Sequence, residues 1–224
     1  MNNSSKAFSL ISLGYDDYIA ARYLIHGGYI LQGVTLASSS VEKYLKAILA
    51  MYGKEKKDMG VHLNKIEKIK KLLADCYYDI TEKIDSRFLK ILGDAYNIRY
   101  YDDLKETVTI GFFINQFIGE LDYTINLIET KVIEGVHDSN GKSISTAYKR
   151  DIEEKNVDLF LNNYILSGIT KKEHMEKVDN GFGIFINPDY IISGNILVQA
   201  KNIYNSYDDG KITIIKMDFK PAAN

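Results

Sequence analysis

Arg99 stands in the segment Tyr96-Asn97-Ile98-Arg99-Tyr100-Tyr101-Asp102, a lone cation among tyrosines with an acid close behind. A guanidinium clamps a phosphate bidentately and a tyrosine ring gives a base a face to stack on. Arg99 with Tyr96 and Tyr100 therefore reads as a candidate group for RNA or a nucleotide. The same Arg beside Asp102 and Asp103 also reads as an ion pair that ties a helix end to the fold, and the residues alone leave both readings open. Glu42 is a candidate partner for Arg99, and Lys46 follows Glu42 by one helical turn. His62 precedes a helix; with no second His or Cys nearby it reads first as a capping or packing group and second as part of a site.

Other chemistry-bearing patterns are weaker. Arg22 and His26 share a helix face at i and i+4, which geometry alone produces, so they read as solvated or capping groups. Lys54, Lys56, Lys57, Lys65, Lys68, Lys70 and Lys71 form a basic edge, but Glu55, Asp58 and Glu67 interrupt it, as on a solvated helix face. Gly141-Lys142-Ser143 copies the end of a phosphate-binding loop, yet Gly135 lies one position too far upstream and follows a helix instead of a strand. The lone cysteine, Cys76, excludes an internal disulfide and a thiolate zinc cluster, so no metal and no cofactor is expected.

These groups must be positioned by helices. Ile11, Tyr15, Tyr18, Ala21 and Ile25 recur at helical spacing, and His26-Gly27-Gly28 ends that helix because paired glycines readily supply its left-handed last residue. Residues 29–52 carry a continuous stripe through Val34, Ala37, Val41, Tyr44, Leu45, Ile48 and Tyr52, stopped by Gly53. Leu63, Ile66, Ile69 and Leu73 mark a third helix, and Ile84, Phe88, Ile91, Leu92 and Ala95 a fourth. Residues 100–107 are too polar to extend that stripe and read as a loop. A fifth helix is expected from Ile110 through Phe113, Phe117, Leu121, Ile125 and Ile128 to Val132.

Beyond Gly135 the pattern loosens, which places a boundary between a bundle over residues 1–134 and a small α+β extension over 135–224. Residues 149–167 look helical, and Thr170 with Glu173 forms a possible capping box. Residues 183–186 and 211–219 read as short strands between turn signals, and 195–204 as strand or helix. The fold class expected is mainly α, an antiparallel up-and-down bundle of about five helices with an α+β appendage.

The 224 residues are 46% hydrophobic, enough for a sizeable core, and 28 Lys and Arg against 30 Asp and Glu give no global pull toward nucleic acid or an anionic membrane. The opening residues hold no secretory apolar run, and no membrane span is evident, so a cytoplasmic protein without membrane association is expected.

The segment Ser40 to Ala47, then His62 opening a helix, then the Tyr96 to Asp102 segment, resembles in this order the HEPN superfamily. Its members carry a V-E-K-x-L-K-A segment, a His followed by leucines, and a Y-x-x-x-R-Y-P-D-like segment; here Tyr101 replaces the proline and the Tyr-to-Arg spacing is one residue short. The resemblance covers roughly residues 15–132. It implies a bundle that often forms homodimers, binds or cleaves RNA or nucleotides, and works beside a nucleotidyltransferase or another protein partner in toxin-antitoxin and defence systems. The family's nucleases place a His four to six residues after an Arg, whereas Arg99 is followed by no His before His137. The expectation is therefore a binding and partner-interaction module, with Arg99, Tyr100, Tyr96, Asp102, Glu42, Lys46 and His62 as ligand-binding candidates and no assigned catalytic residue. A metal-independent endoribonuclease toxin, and a dimerisation scaffold whose extension binds a partner protein, are the alternatives.

Overall fold

A computed structural model describes residues 3–54, 60–77, 80–98, 108–133, 145–177, 181–187 and 190–196. These form eight α-helices and three strands, a mainly α fold. The polar loops expected at 100–107 and 137–141, the residues at 141–143 and the strand expected at 211–219 lie outside the described residues.

Helices α1 (Asn3–His26) and α2 (Ile30–Met51) pack against each other along their length. The turn between them forms as the glycines dictate: Gly28 has φ +84°, and Tyr29 N–H reaches back to the carbonyl of Leu24 at 2.8 Å. Gly53, at φ +74°, ends α2 the same way. The expected stripe of α2 is buried from Val34 to Ile48, whereas Tyr52, just past the helix end, is exposed; α2 also touches α3 (Ile66–Tyr77), α4 (Ser86–Ile98) and α5 (Ile114–Ile128), which makes it the centre of the bundle.

Gly33 sets how closely α1 and α2 approach. A Cβ there would lie 2.4 Å from Ile25 Cγ1 and 3.0 Å from the carbonyl oxygen of Ala21. Alanine gains about 1 kcal/mol over glycine in a helix, but forcing a methyl against backbone costs about 1–3 kcal/mol. Gly33→Ala is therefore expected to lower stability in urea unfolding; a gain would show that the helix pair separates without cost.

The fifth helix begins later than its periodicity suggests. Residues 108–113 form strand β1 (Val108–Phe113), and α5 starts at Ile114, continuing past Ile128 as a π-helical turn, Glu129–Ile133. The cause is non-local: β1 is rich in β-branched and aromatic residues and pairs antiparallel with β2 (Gly181–Asn187), from Val108↔Ile186 to Phe113↔Gly181. β2 in turn pairs with β3 (Tyr190–Ile196), giving the order β1-β2-β3. Phe112 and Phe117 then lie in one core although they belong to a strand and a helix.

Residues 149–167 are not one helix. α6 (Ala147–Glu153) ends before Lys155 at φ +53°, Asn156 caps α7 (Val157–Phe160), and Asn162 again takes φ +53°. The capping box forms as expected on α8 (Lys171–Met175), with Thr170 and Glu173 bonded to each other's backbone N–H.

Polar groups as well as apolar ones fasten this stretch to α1 and α5. Tyr15 donates to Asp151 at 2.5 Å, Tyr148 to Asn126 at 2.9 Å, and Tyr44 and Thr146 both donate to Glu129, at 2.7 and 2.9 Å. Arg22 is wholly buried, so the expectation of a solvated group is overturned: its guanidinium grips Asp122 and donates to the backbone carbonyls of Asp158 and Leu161. Tyr18 adds a hydrogen bond to Asp122 at 2.7 Å. Burial works against the charge on Arg22, yet contact with Asp122 carries its pKa above the ordinary value. Tyr148 and Leu159 join the core of the bundle, so residues on either side of position 135 share one interior.

Candidate functional site

The turn that opens α3 is seated on α2 by a single carboxylate. Glu42 is 9% exposed. Its Oε1 accepts from Lys46 Nζ at 2.8 Å and lies 3.0 Å from His62 Nδ1, while Oε2 accepts from the backbone N–H of Leu63 at 3.1 Å. Burial alone would raise the Glu42 carboxyl; bonds from Lys46, His62 and Leu63 outweigh it and hold the group below its ordinary value. Among the described residues Glu42 is therefore an anion held by Lys46, His62 and the backbone N–H of Leu63.

His62 occupies the position before a short 3-10 turn, Leu63–Lys65, but its side chain caps nothing. The capping contact comes from another helix, through Glu42 Oε2 and Leu63 N–H. The imidazole turns instead toward α4 and stacks on Tyr96, with centroids 4.7 Å apart and planes 27° from parallel. Gly93, one turn earlier on α4, permits this approach, since a Cβ there would meet the Leu63 carbonyl oxygen at 3.0 Å.

Four of the sequence candidates, Glu42, Lys46, His62 and Tyr96, are thus brought together from α2, the turn before α3, and α4. Arg99, Tyr100 and Asp102 lie outside the described residues. Glu42 pairs with Lys46 and His62, and the candidate pairing of Glu42 with Arg99 falls outside the described residues. No family model, curated protein or solved structure matches the chain.

The basic edge divides into paired and outlying groups. Lys54 binds Asp75 at 3.0 Å and Lys70 binds Glu67 at 3.0 Å, while Lys65, Lys68 and Lys71 are exposed. Between α3 and α4 a cleft of about 290 Å³ is floored by Leu63 and Leu89, and the lysines on its walls, Lys70 and Lys90, are neutralised by Glu67 and Asp94. Its charge balance gives it no preference for an anion. Among the described residues no cluster of His, Cys, Asp and Glu has the makings of a metal site.

Sequence reasoning missed a second set of polar groups, the buried acids Glu120, Asp122 and Glu129 on α5 and its π-helical turn. Their partners Lys171, Arg22 and Tyr44 come from distant parts of the chain. The one available signal was the acids' placement within an otherwise apolar helix.

The Glu42 site offers a buried anion bonded to three protein donors, a half-exposed imidazole held edge-on to it, an aromatic ring stacked behind that imidazole, and exposed lysines on the adjoining helix. It can present a flat ring and a ring nitrogen to a ligand, with cations nearby for a polyanionic backbone.

Proposed function

We propose that this protein is a HEPN-like module that binds RNA or a nucleotide and engages a partner protein, without nuclease activity of its own. The observation that supports this reading best is the convergence of Glu42, Lys46, His62 and Tyr96, since those residues carry the sequence resemblance and sit apart in the chain. The exposed Lys65, Lys68 and Lys71 on the helix that starts beside His62 supply phosphate-facing charge. For the partner, Tyr23 on α1 and Val157 and Leu161 at α7 are large apolar side chains left exposed. A setting in toxin-antitoxin or defence systems, and a homodimeric or nucleotidyltransferase-bound assembly, follow from the resemblance.

The test is retention of mixed cellular RNA by the purified protein in the presence of chelator, scored alongside cleavage. Wild type is expected to retain RNA without cutting it, and Arg99→Ala and His62→Ala each to weaken retention about tenfold, the scale of one lost charged or stacked contact. Retention that neither substitution alters would place the RNA elsewhere. Cleavage abolished by Arg99→Ala would instead make the protein a ribonuclease.

A further inference from the structure

His62 has a ring nitrogen on each side, and the structure gives them different jobs. Nδ1 lies 3.0 Å from Glu42 Oε1. A carboxylate has no proton to donate, so Nδ1 must be the nitrogen that carries hydrogen. The remaining bonds of Glu42, from Lys46 Nζ and Leu63 N–H, help keep that carboxylate anionic. With Nδ1–H committed, Nε2 of a neutral imidazole is a bare lone pair.

Nε2 has no protein partner among the described residues and is not among their buried unpartnered atoms, although His26 Nε2 is. It lies across the ring from Nδ1, and the His62 side chain is 43% exposed. The stack on Tyr96 fixes the plane in which that lone pair points. Pre-organised in this way, the nitrogen is an acceptor awaiting a donor. A phosphate oxygen, itself an acceptor, is the wrong partner; an N–H on the edge of a base is the right one, and a base brings the flat face that suits a stacked site.

We propose that His62 reads an N–H donor on the edge of an unpaired nucleobase, with Glu42 as the positioning residue that fixes its tautomer, while phosphate contacts fall to the lysines of α3. This rests on the RNA- or nucleotide-binding reading and adds what part of the ligand His62 recognises.

The experiment uses single-stranded homo-oligomers of the four ribonucleotides, each beside a counterpart whose base N–H groups are all methylated, and a 2′-deoxy version of each. Binding to the full chain is followed by fluorescence anisotropy at about pH 8, where imidazole is ordinarily neutral. For at least one base, methylation is expected to weaken binding about tenfold while the 2′-deoxy change does not, the size of one hydrogen bond. His62→Phe keeps a ring against Tyr96 and removes Nε2, so it should bind the paired oligomers equally. Wild type that binds RNA but ignores methylation overturns the donor reading and leaves RNA binding intact. So does discrimination that survives in His62→Phe, which would make the effect steric, or sensitivity to the 2′-deoxy change alone, which would move the donor to the ribose. Failure to bind any of the oligomers overturns both readings.

Discussion

Arg22→Met is expected to cost the fold about 3–5 kcal/mol, the scale for removing one partner of a buried ion pair. The number follows from what is left behind. Asp122 is wholly buried, burial pushes its carboxyl above the ordinary range, and Arg22 and the Tyr18 hydroxyl pull it down most, with a smaller pull from His174. Without Arg22 the carboxylate keeps Tyr18 as its hydrogen-bond donor among the described residues, and the carbonyls of Asp158 and Leu161 lose the guanidinium. Arg22→Met with Asp122→Asn should recover much of the loss, because the amide oxygen still accepts from Tyr18 and no charge is stranded. Urea unfolding of the four members of this double-mutant cycle measures both terms. A single-substitution loss below about 1 kcal/mol, the level of an exposed pair, would mean that water reaches Asp122.

That network also explains what the sequence could and could not convey. The stripes of α1 and α2 and the Gly28 and Gly53 stops were legible because helix periodicity and left-handed turns are local properties. The capping box at Thr170 was legible for the same reason. The start of α5 was not: Ile110 and Phe113 fit a helical repeat, and a strand forms there because β2 arrives from some seventy residues later, about the range at which single-sequence patterns carry no pairing information. Arg22 misled for a similar reason. Spacing places it on a helix face with His26 but says nothing of Asp122, which is 100 positions away. At the site, residue types pointed to Glu42, His62 and Tyr96, and the family resemblance ordered them along the chain. Their mutual geometry depends on Gly93 admitting the turn before α3, a steric fact that residue patterns do not carry.

Glu120→Gln should stabilise the protein at neutral pH, although it removes an ion pair. Glu120 is wholly buried on α5; Lys171 Nζ approaches Oε1 at 2.6 Å, and Oε2 is buried without a partner among the described residues. Burial pushes this carboxyl up from 4.5 to about 6 against the pull of Lys171. The native state therefore holds the proton more tightly than the unfolded chain does. Stability from this group is highest below the unfolded value and is lost as pH rises through about 6, a difference of about 2 kcal/mol between acid and neutral conditions. Glutamine mimics the protonated form, and the Lys171 left behind is 31% exposed, so it can turn its ammonium to water instead of standing as a stranded charge. His174 titrates in the opposite sense: burial lowers its pKa, so its contribution is lost as pH falls below the ordinary histidine range. It is common to both chains and cancels in their difference. Urea unfolding across the acid-to-neutral range should show Glu120→Gln ahead by about 2 kcal/mol above the folded pKa, with the gap closing as pH falls toward the ordinary carboxylate range. A variant less stable than wild type at neutral pH would show that attraction to Lys171 outweighs the burial of the charge, and that α8 is held on α5 by that ion pair.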